Sequence, residues 1–197
     1  MKLLAYGPLA VLAEFETLAD VMSAAETWSA AALPGVVDVV PAARTVLVIH
    51  DGSLDVGNLI TPAETIHVGC AEHSVTLQVV YDGADLEGVA QACGLTVRAV
   101  VDLHSAADYT VAFCGFMPGF AYLVGLPPPL HLPRHNTPRT RVPAGSVAIA
   151  AEFAGVYPRE SPGGWHLLGH TDAVLWDSDR TPPALLPPGT RVRFRPT

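Results

Sequence analysis

The residues best suited to ligand chemistry lie between positions 113 and 170. Two Pro-Arg pairs place Arg134 and Arg139 on a stiff backbone, and an arginine can bind a carboxylate or phosphate through two parallel hydrogen bonds. Tyr122 and Ser146 come from neighbouring motifs and are further candidates for substrate binding. The pattern favours a site for a small anion, although a surface salt bridge would explain either arginine equally well.

The segment ESPGGWHLLGH, residues 160–170, contains a second group of candidates for substrate binding. Gly163 and Gly164 let the backbone pass close to a ligand or a partner, since glycine inside a packed region otherwise costs conformational entropy. The tryptophan that follows and His166 would supply a wall and a polar group, and Ser161 a hydrogen-bond donor. The alternative is a β-bulge turn in which the tryptophan belongs to the core.

Histidines are the candidates for acid–base chemistry. His104 lies at the end of a predicted helix, where the helix dipole favours the charged imidazolium. It is the first choice for a general acid or base, with a capping role as the alternative, and Arg139 and His166 complete the predicted catalytic set. We predict no metal site. His131 and His135 are four residues apart, but the proline between them prevents the helix on which such a pair would bind zinc. His166 and His170 are also four apart but lie in a predicted strand.

Lysine chemistry is nearly excluded because the chain has one lysine, Lys2. A P-loop needs a lysine after its glycines, and a biotin carrier or a pyridoxal Schiff base needs a lysine that can be modified. An amidase with a Ser-Ser-Lys triad needs one as well. Ser146 and Ser161 stand in no nucleophile-elbow pattern, so we expect them to act as hydrogen-bond donors at most. We therefore expect no biotin attachment and no activity of the chain alone.

The composition indicates a compact globular protein, with 50% hydrophobic and 15% charged residues in a chain of 197. No apolar run reaches the roughly 18 residues that a membrane span requires. Gly7 and Pro8 interrupt the signal-like N-terminus. The cysteines are odd in number and far apart, which argues against a disulfide framework: Cys70, Cys93 and Cys114. We predict a reduced, cytoplasmic protein.

The charge is distributed unevenly along the chain. Residues 1–110 carry 14 acids and 3 bases, whereas residues 111–197 carry 5 acids and 8 bases. Proline also changes, since 14 of the 18 prolines follow residue 110. Two regions with different roles are implied. The second can hold an anionic small molecule but is not basic enough to bind nucleic acid.

The elements that must position these residues fall into two groups. In the first, helical spacing predicts a helix over 17–32 that ends at Pro34-Gly35, and a second helix is predicted over 53–60. Alternation and β-branched residues predict strands at 3–6, 9–15, 36–41, 45–50 and 73–81. Together they are typical of a small α+β, ferredoxin-like domain.

In the second group, two helices precede an all-β region. They are predicted over 86–93 and 97–107, with Asp85 and Thr96 as their N-caps. From Thr110 onward, short apolar runs cut by proline and glycine predict a β-barrel or sandwich.

Several motifs in this second group occur together. They are GFMPGFAYL from Gly115, VPAGSVAIA from Val142, GVYP from Gly155 and SPGGW from Ser161, preceded by Tyr81-Asp82-Gly83, Asp85-Leu86, and His104 with Tyr109. The combination resembles the family of the 5-oxoprolinase B subunit, also called KipI-type, allophanate hydrolase subunit 1, or carboxyltransferase domain, subdomain C and D. The likeness covers about 81–195. Two features depart from the family pattern: His170 stands where arginine is frequent, and no Cys-Tyr run precedes Tyr81.

The resemblance implies a cyclophilin-like β-barrel for the C-terminal region. With the strand and helix pattern, the predicted fold is α+β: a ferredoxin-like domain over 1–82, followed by a helical linker and the cyclophilin-like β-barrel over 83–197. It also implies the B subunit of an ATP-dependent 5-oxoprolinase, which shares a site with a C subunit homologue and assembles with an A subunit. ATP, with Mg, would act through that complex on a small anionic substrate. The alternatives are a urea- or allophanate-type carboxyltransferase subunit, or instead an inhibitor of a sensor histidine kinase.

Overall fold

The computed structural model describes residues 1–59 and 73–197. Contacts between residues divide the chain into two compact units, Met1–Cys70 and Ala71–Thr197. Cys70 and the last residue of the helix predicted over 53–60 lie outside the described residues. In the described part of that range the structure has a short 3-10 helix, Val56–Leu59, instead of an α-helix.

The first unit is a four-stranded antiparallel sheet with one α-helix. Its strands pair in the order β1-β2-β4-β3, and helix α1 connects β2 to β3. Thr17 caps α1, because its side chain accepts a hydrogen bond from the backbone N–H of Asp20. The core packs Val21 and Trp28 of the helix against apolar residues of the sheet, such as Val46. The bounds are β1 Lys2–Ala5, β2 Ala10–Glu14, α1 Leu18–Ala30, β3 Val36–Pro41 and β4 Thr45–His50.

These elements confirm the four predicted strands and the first predicted helix of this unit. The ferredoxin-like arrangement is not confirmed. A ferredoxin-like domain has two helices, each between strands of the sheet, whereas the described part of this unit has a single α-helix. Helix α1 and the strands around it correspond to one split βαβ unit, with β4 between β2 and β3.

The second unit is a nearly closed β-barrel. Its seven-stranded sheet has the order β12-β9-β10-β7-β6-β13-β5, and β8 pairs with β11 in a separate ribbon. Two hydrogen bonds between Val80 and His170, of 3.0 and 2.9 Å, join the residue after β5 to the end of β12 and connect the two edges. The bounds are β5 Ser74–Val79, β6 Tyr109–Cys114, β7 Ala121–Val124, β8 Arg139–Val142, β9 Ser146–Ala150, β10 Phe153–Val156, β11 Ser161–Gly163, β12 His166–His170 and β13 Arg191–Pro196.

Strand β5 was predicted as part of the first domain, yet it pairs in parallel with β13 of the barrel. Strand β5 is thus part of the barrel sheet, although it precedes the predicted boundary at residue 82. The predicted β-rich region after residue 110 is confirmed as the greater part of the barrel.

Helices α2 (Leu86–Cys93) and α3 (Val97–Ala106) confirm the two predicted helices. Gly94 ends α2 in the left-handed conformation, with φ 66°, and the Thr96 side chain accepts a hydrogen bond from the N–H of Ala99 at the start of α3. Asp85 precedes α2, but its side chain makes no capping bond. That part of the prediction is wrong. In the described part of the chain, no helix is long and apolar enough to cross a membrane.

Candidate functional site

An aromatic pocket of about 260 Å³ lies in the second unit, where three of the sequence motifs meet. Tyr122 of β7 stacks on Phe113 with ring centroids 4.4 Å apart, and its edge contacts Trp165 at 5.6 Å. Segments after β6, before β8, after β10 and at β11 thus line one pocket, although they are far apart in sequence. The lining residues are Phe116, Phe120, Tyr122, Arg134, Pro138, Tyr157, Pro162, Gly163, Gly164 and Trp165.

Trp165 belongs both to the core and to the pocket wall. It is 7% exposed and packs edge-on against Phe120 at 5.3 Å. The preceding strand pairs with β8 through an irregular register between Ser161 and Gly163. The irregular register fits the β-bulge alternative, and the same segment also lines a cavity.

Glycine is required at position 163 more than at 164. A Cβ atom at Gly163 would lie 2.3 Å from the hydroxyl oxygen of Tyr157. At Gly164 the nearest atom would be the carbonyl oxygen of His135, at 3.4 Å, and neither glycine has a positive φ. The close approach predicted for this segment is thus made by Gly163, and its neighbour is the protein's own Tyr157.

Arg134 is the positive charge of the pocket. Arg134 is exposed, and it has no ion-pair partner among the residues that the structure describes. Burial raises the pKa of Tyr122 and of Tyr157, and the charge of Arg134 partly opposes both shifts. A guanidinium beside buried rings can bind a small anion whose body contacts the aromatic wall.

Phe116 forms the rim of the pocket in an unfavourable backbone conformation. Its φ is 67°, a region that bulky residues rarely adopt, and the residue is 61% exposed. Its ring contacts Phe120 edge-on at 5.5 Å. Trp176, also exposed, lies near this turn, since a Cβ atom at Gly119 would be 2.8 Å from the Cβ of Trp176. Strained residues of this kind cluster at functional sites.

Asp85 organises a second group of polar residues. Its Oδ1 accepts a hydrogen bond from Arg139 at 2.5 Å, and its Oδ2 accepts one from the backbone N–H of Leu167 at 2.7 Å. Burial raises the pKa of Asp85, but the Leu167 amide, Arg139 and His135 together lower it below its usual value. The carboxylate is therefore ionised at neutral pH.

Two histidines complete this group. The Nε2 of His135 lies 3.4 Å from Asp85 Oδ1, and the rings of His135 and His166 have centroids 4.1 Å apart. Asp85, His135 and His166 each offer one ligand atom, and these atoms all lie within 4.8 Å of one another. His135 also connects the group to the aromatic pocket, because its backbone N–H donates to the carbonyl of Gly164 at 2.8 Å.

Of the three predicted catalytic residues, the structure brings two together. Arg139 and His166 both lie in the Asp85 group. His104 lies elsewhere, in the barrel core, fully buried and packed against Phe194 with ring centroids 4.6 Å apart. Its Nδ1 hydrogen-bonds the hydroxyl of Tyr81 at 2.7 Å. Its catalytic role stays a prediction.

The environment of His104 keeps its ring neutral. Burial lowers the pKa of His104 from 6.5 to about 3, and the Nε2 atom has no hydrogen-bond partner among the described residues. The predicted helix dipole is therefore outweighed by desolvation. The hydroxyl of Tyr109 donates to the His104 carbonyl at 3.0 Å, which further ties this end of α3 to the barrel.

The two predicted serines lie outside the aromatic pocket. Ser146 donates from Oγ to the Pro143 carbonyl at 2.8 Å and lines a different cavity, of about 520 Å³, with Arg139 and His170. The Oγ of Ser161 is buried without a partner in the described part of the chain. Four predicted substrate-binding residues do line the aromatic pocket: Tyr122, Arg134, Gly163 and Gly164.

Sequence reasoning missed three residues of these sites: Asp85 as an ion-pair partner, His135 as a neighbour of His166, and Tyr157 as a pocket residue. Asp85 is 54 residues from Arg139, so no local spacing connects them. Tyr157 did stand in a noted motif, GVYP, but its side chain was assigned no role.

The chain matches the family model described as carboxyltransferase domain, subdomain C and D, over residues 1–186. It is 41% identical over 203 residues to the 5-oxoprolinase B subunit of Escherichia coli O157:H7, across 96% of this chain and 93% of that protein. This confirms the resemblance found in the sequence.

Two solved structures share the fold. The protein TTHA0988 is 38% identical with a TM-score of 0.78, over 95% of this chain and 40% of that one, so this chain spans less than half of it. The urea carboxylase of Kluyveromyces lactis is 21% identical with a TM-score of 0.72, over 99% of this chain and 21% of that one, and shows the fold alone. The chain thus belongs to the family of the carboxyltransferase domain, subdomain C and D.

Proposed function

We propose that this chain is the B subunit of an ATP-dependent 5-oxoprolinase complex. The reaction would be 5-oxo-L-proline plus ATP and two waters giving L-glutamate, ADP and phosphate. ATP would phosphorylate the carbonyl oxygen of the unstrained lactam. A first water would then open the ring to the γ-acyl phosphate of glutamate, and a second would release phosphate. The observation that carries the proposal is the 41% identity to a protein named as the B subunit of 5-oxoprolinase, across nearly the whole of both chains.

The aromatic pocket supports a substrate of this class. 5-Oxoproline combines a small planar lactam with a carboxylate. The pocket combines aromatic faces with the guanidinium of Arg134, which has no ion-pair partner among the described residues. In this proposal Arg134 binds the carboxylate while Tyr122 and Trp165 contact the ring. Because Gly163 has no Cβ, Tyr157 can lie close to it and form part of the pocket wall behind the ligand.

A partner is needed to complete the site. Phe116 and Trp176 are large apolar residues exposed at 61% and 41% beside the pocket, and exposed aromatic residues are enriched at protein interfaces. We propose that the C subunit lies over this rim and that the A subunit joins the complex. ATP and Mg would bind through the assembly, because this chain lacks the lysine of a P-loop.

Arg139 and His166 are proposed to act at the edge of the site, beside Asp85, and Ser146 and Ser161 as further polar contacts to substrate. The catalytic role of His104 would require access to a ring that is fully buried in this conformation. The proposal includes a cyclophilin-like fold for the barrel and a ferredoxin-like first domain that ends at residue 82. It also includes a cytoplasmic location.

The test is co-expression with the partner subunits and an assay of ATP-dependent glutamate release. We expect no turnover by this chain alone and turnover by the assembled complex. Arg134→Ala should raise KM for 5-oxoproline at least about 10-fold, as expected for a lost charge-assisted bond of about 1.5–3 kcal/mol. Arg159→Ala, an exposed arginine that does not line the pocket, is the control. Equal KM values for the two variants would contradict the substrate site.

A urea- or allophanate-type carboxyltransferase subunit is the second candidate, favoured by the description of the matched family. The same purified assembly distinguishes the two functions. Transfer of carboxylate from a biotin carrier, without release of glutamate from 5-oxoproline, would replace the first proposal by the second.

A further inference from the structure

We propose that Asp85, His135 and His166 form a binding site for a divalent transition-metal ion, zinc in particular. The site does not depend on the proposed 5-oxoprolinase activity. It joins two imidazoles and one carboxylate from three separate parts of the chain: the residue before α2, the loop before β8, and the start of β12. This donor set is one that zinc uses when it keeps an open coordination position.

The spacing of the ligand atoms is close to what zinc requires. Ligands at about 2.0–2.1 Å from a tetrahedral ion are separated from each other by roughly 3.4 Å. The distance from His135 Nε2 to Asp85 Oδ1 is already 3.4 Å. All three ligand atoms lie within 4.8 Å of one another, so each need move only by about an ångström to reach this separation.

Both histidines have a nitrogen available for metal. The Nε2 of His166 lies 2.8 Å from the carbonyl oxygen of Pro133, which can only accept a hydrogen bond, so this nitrogen carries the proton and the lone pair is on Nδ1. A backbone carbonyl commonly orients a metal-binding histidine in this way. The Nε2 of His135 is buried and has no hydrogen-bond partner among the described residues, an arrangement that a bound cation would explain.

Asp85 can bind a metal without losing its present partners. A carboxylate offers about four lone-pair positions, and Asp85 uses one on each oxygen, for Arg139 and for the Leu167 amide. These two donors hold the carboxylate in place, as outer partners do for carboxylates that bind metals. The guanidinium adds a positive charge, so the open position of the ion should prefer an anionic ligand or hydroxide.

The test is metal binding by the full chain after treatment with EDTA. Calorimetric titration with zinc chloride at neutral pH should give one ion per chain, with a Kd in the micromolar range or tighter. Cobalt should give visible absorption bands typical of tetrahedral nitrogen and oxygen ligands, without the charge-transfer band of a thiolate. That spectrum separates this site from one built by cysteines and needs no variant.

His135→Ala and His166→Ala should each weaken zinc binding at least about 10-fold, since even the loss of an outer partner costs that much. His170→Ala is the matched control, because His170 also pairs with an aspartate, Asp82, at 2.8 Å but lies outside the cluster. It should bind zinc like the unchanged chain. Equal binding by the double variant His135→Ala/His166→Ala, a thiolate spectrum with cobalt, or no binding at millimolar zinc would overturn the proposal.

Discussion

The contact between Gly163 and Tyr157 allows a quantitative prediction. In Gly163→Ala, the new Cβ would lie 2.3 Å from the Tyr157 hydroxyl oxygen and 2.9 Å from the carbon that bears it. Tyr157 is 2% exposed and packs edge-on against Phe120 at 5.3 Å, so the ring cannot move aside into solvent. Overpacking of this kind costs about 1–3 kcal/mol of the free energy of unfolding.

Gly164→Ala is the matched control. The nearest atom to its new Cβ is 3.4 Å away, and neither glycine has a positive φ, so the two variants differ in the steric contact and not in backbone strain. Guanidinium unfolding at neutral pH should show a loss of about 1–3 kcal/mol for Gly163→Ala and less than about 1 kcal/mol for Gly164→Ala. Adding Tyr157→Phe should recover part of the loss, with a coupling energy of about 1 kcal/mol. Equal stabilities of the two alanine variants would refute this reasoning.

Three further predictions concern stability. The pKa of His104 falls from 6.5 to about 3 on folding, so the unfolded chain binds more protons between these pH values. The free energy of unfolding should therefore fall by about 1.4 kcal/mol for each pH unit below pH 6.5 within this range. Urea melts of His104→Gln should lack most of that slope. Arg139→Ala should lower the free energy of unfolding by about 1–3 kcal/mol in chemical denaturation, because it leaves the largely buried Asp85 without the guanidinium. Arg141→Ala breaks an exposed pair and should lower it by less than about 1 kcal/mol. Phe116→Gly removes an unfavourable φ, so it should stabilise the isolated chain by about 1 kcal/mol in a thermal melt. It should also weaken pull-down of the proposed C subunit partner. A loss of stability with unchanged binding would contradict both expectations.

Local sequence signals predicted the elements well. Strand alternation and the capping residue Thr96 are properties of neighbouring residues, and the structure confirms the elements that they predict. The short 3-10 helix at Val56–Leu59 shows the limit of such signals, since a few residues with helical spacing do not specify an α-helix. The sheet partner of β5 could not be predicted from local signals either. Its partner, β13, lies more than a hundred residues later, so pairing across that distance decides which unit it joins.

Asp85 shows why the candidate site could be predicted only in part. The residue type and position fit a helix N-cap, and the helix begins where expected. The side chain instead binds the Leu167 amide and Arg139, which are brought to it by closure of the barrel. His135 was considered with His131 because of spacing, whereas its ring contacts His166 from another strand. Tertiary contacts thus outweighed the local preference in both cases.

The two Pro-Arg pairs share one motif but have different environments. Arg139 is bound to Asp85 and is 32% exposed, so its guanidinium is already used to hold a carboxylate of the protein. Arg134 has no ion-pair partner in the described part of the chain and lies beside Tyr122 and Tyr157. Sequence alone could not separate them, because the difference lies in Asp85. An anionic substrate would therefore displace no carboxylate of the described residues at Arg134, whereas at Arg139 it would have to displace the hydrogen-bonded carboxylate of Asp85. Substrate affinity should accordingly depend on Arg134, and the stability of the site on Arg139.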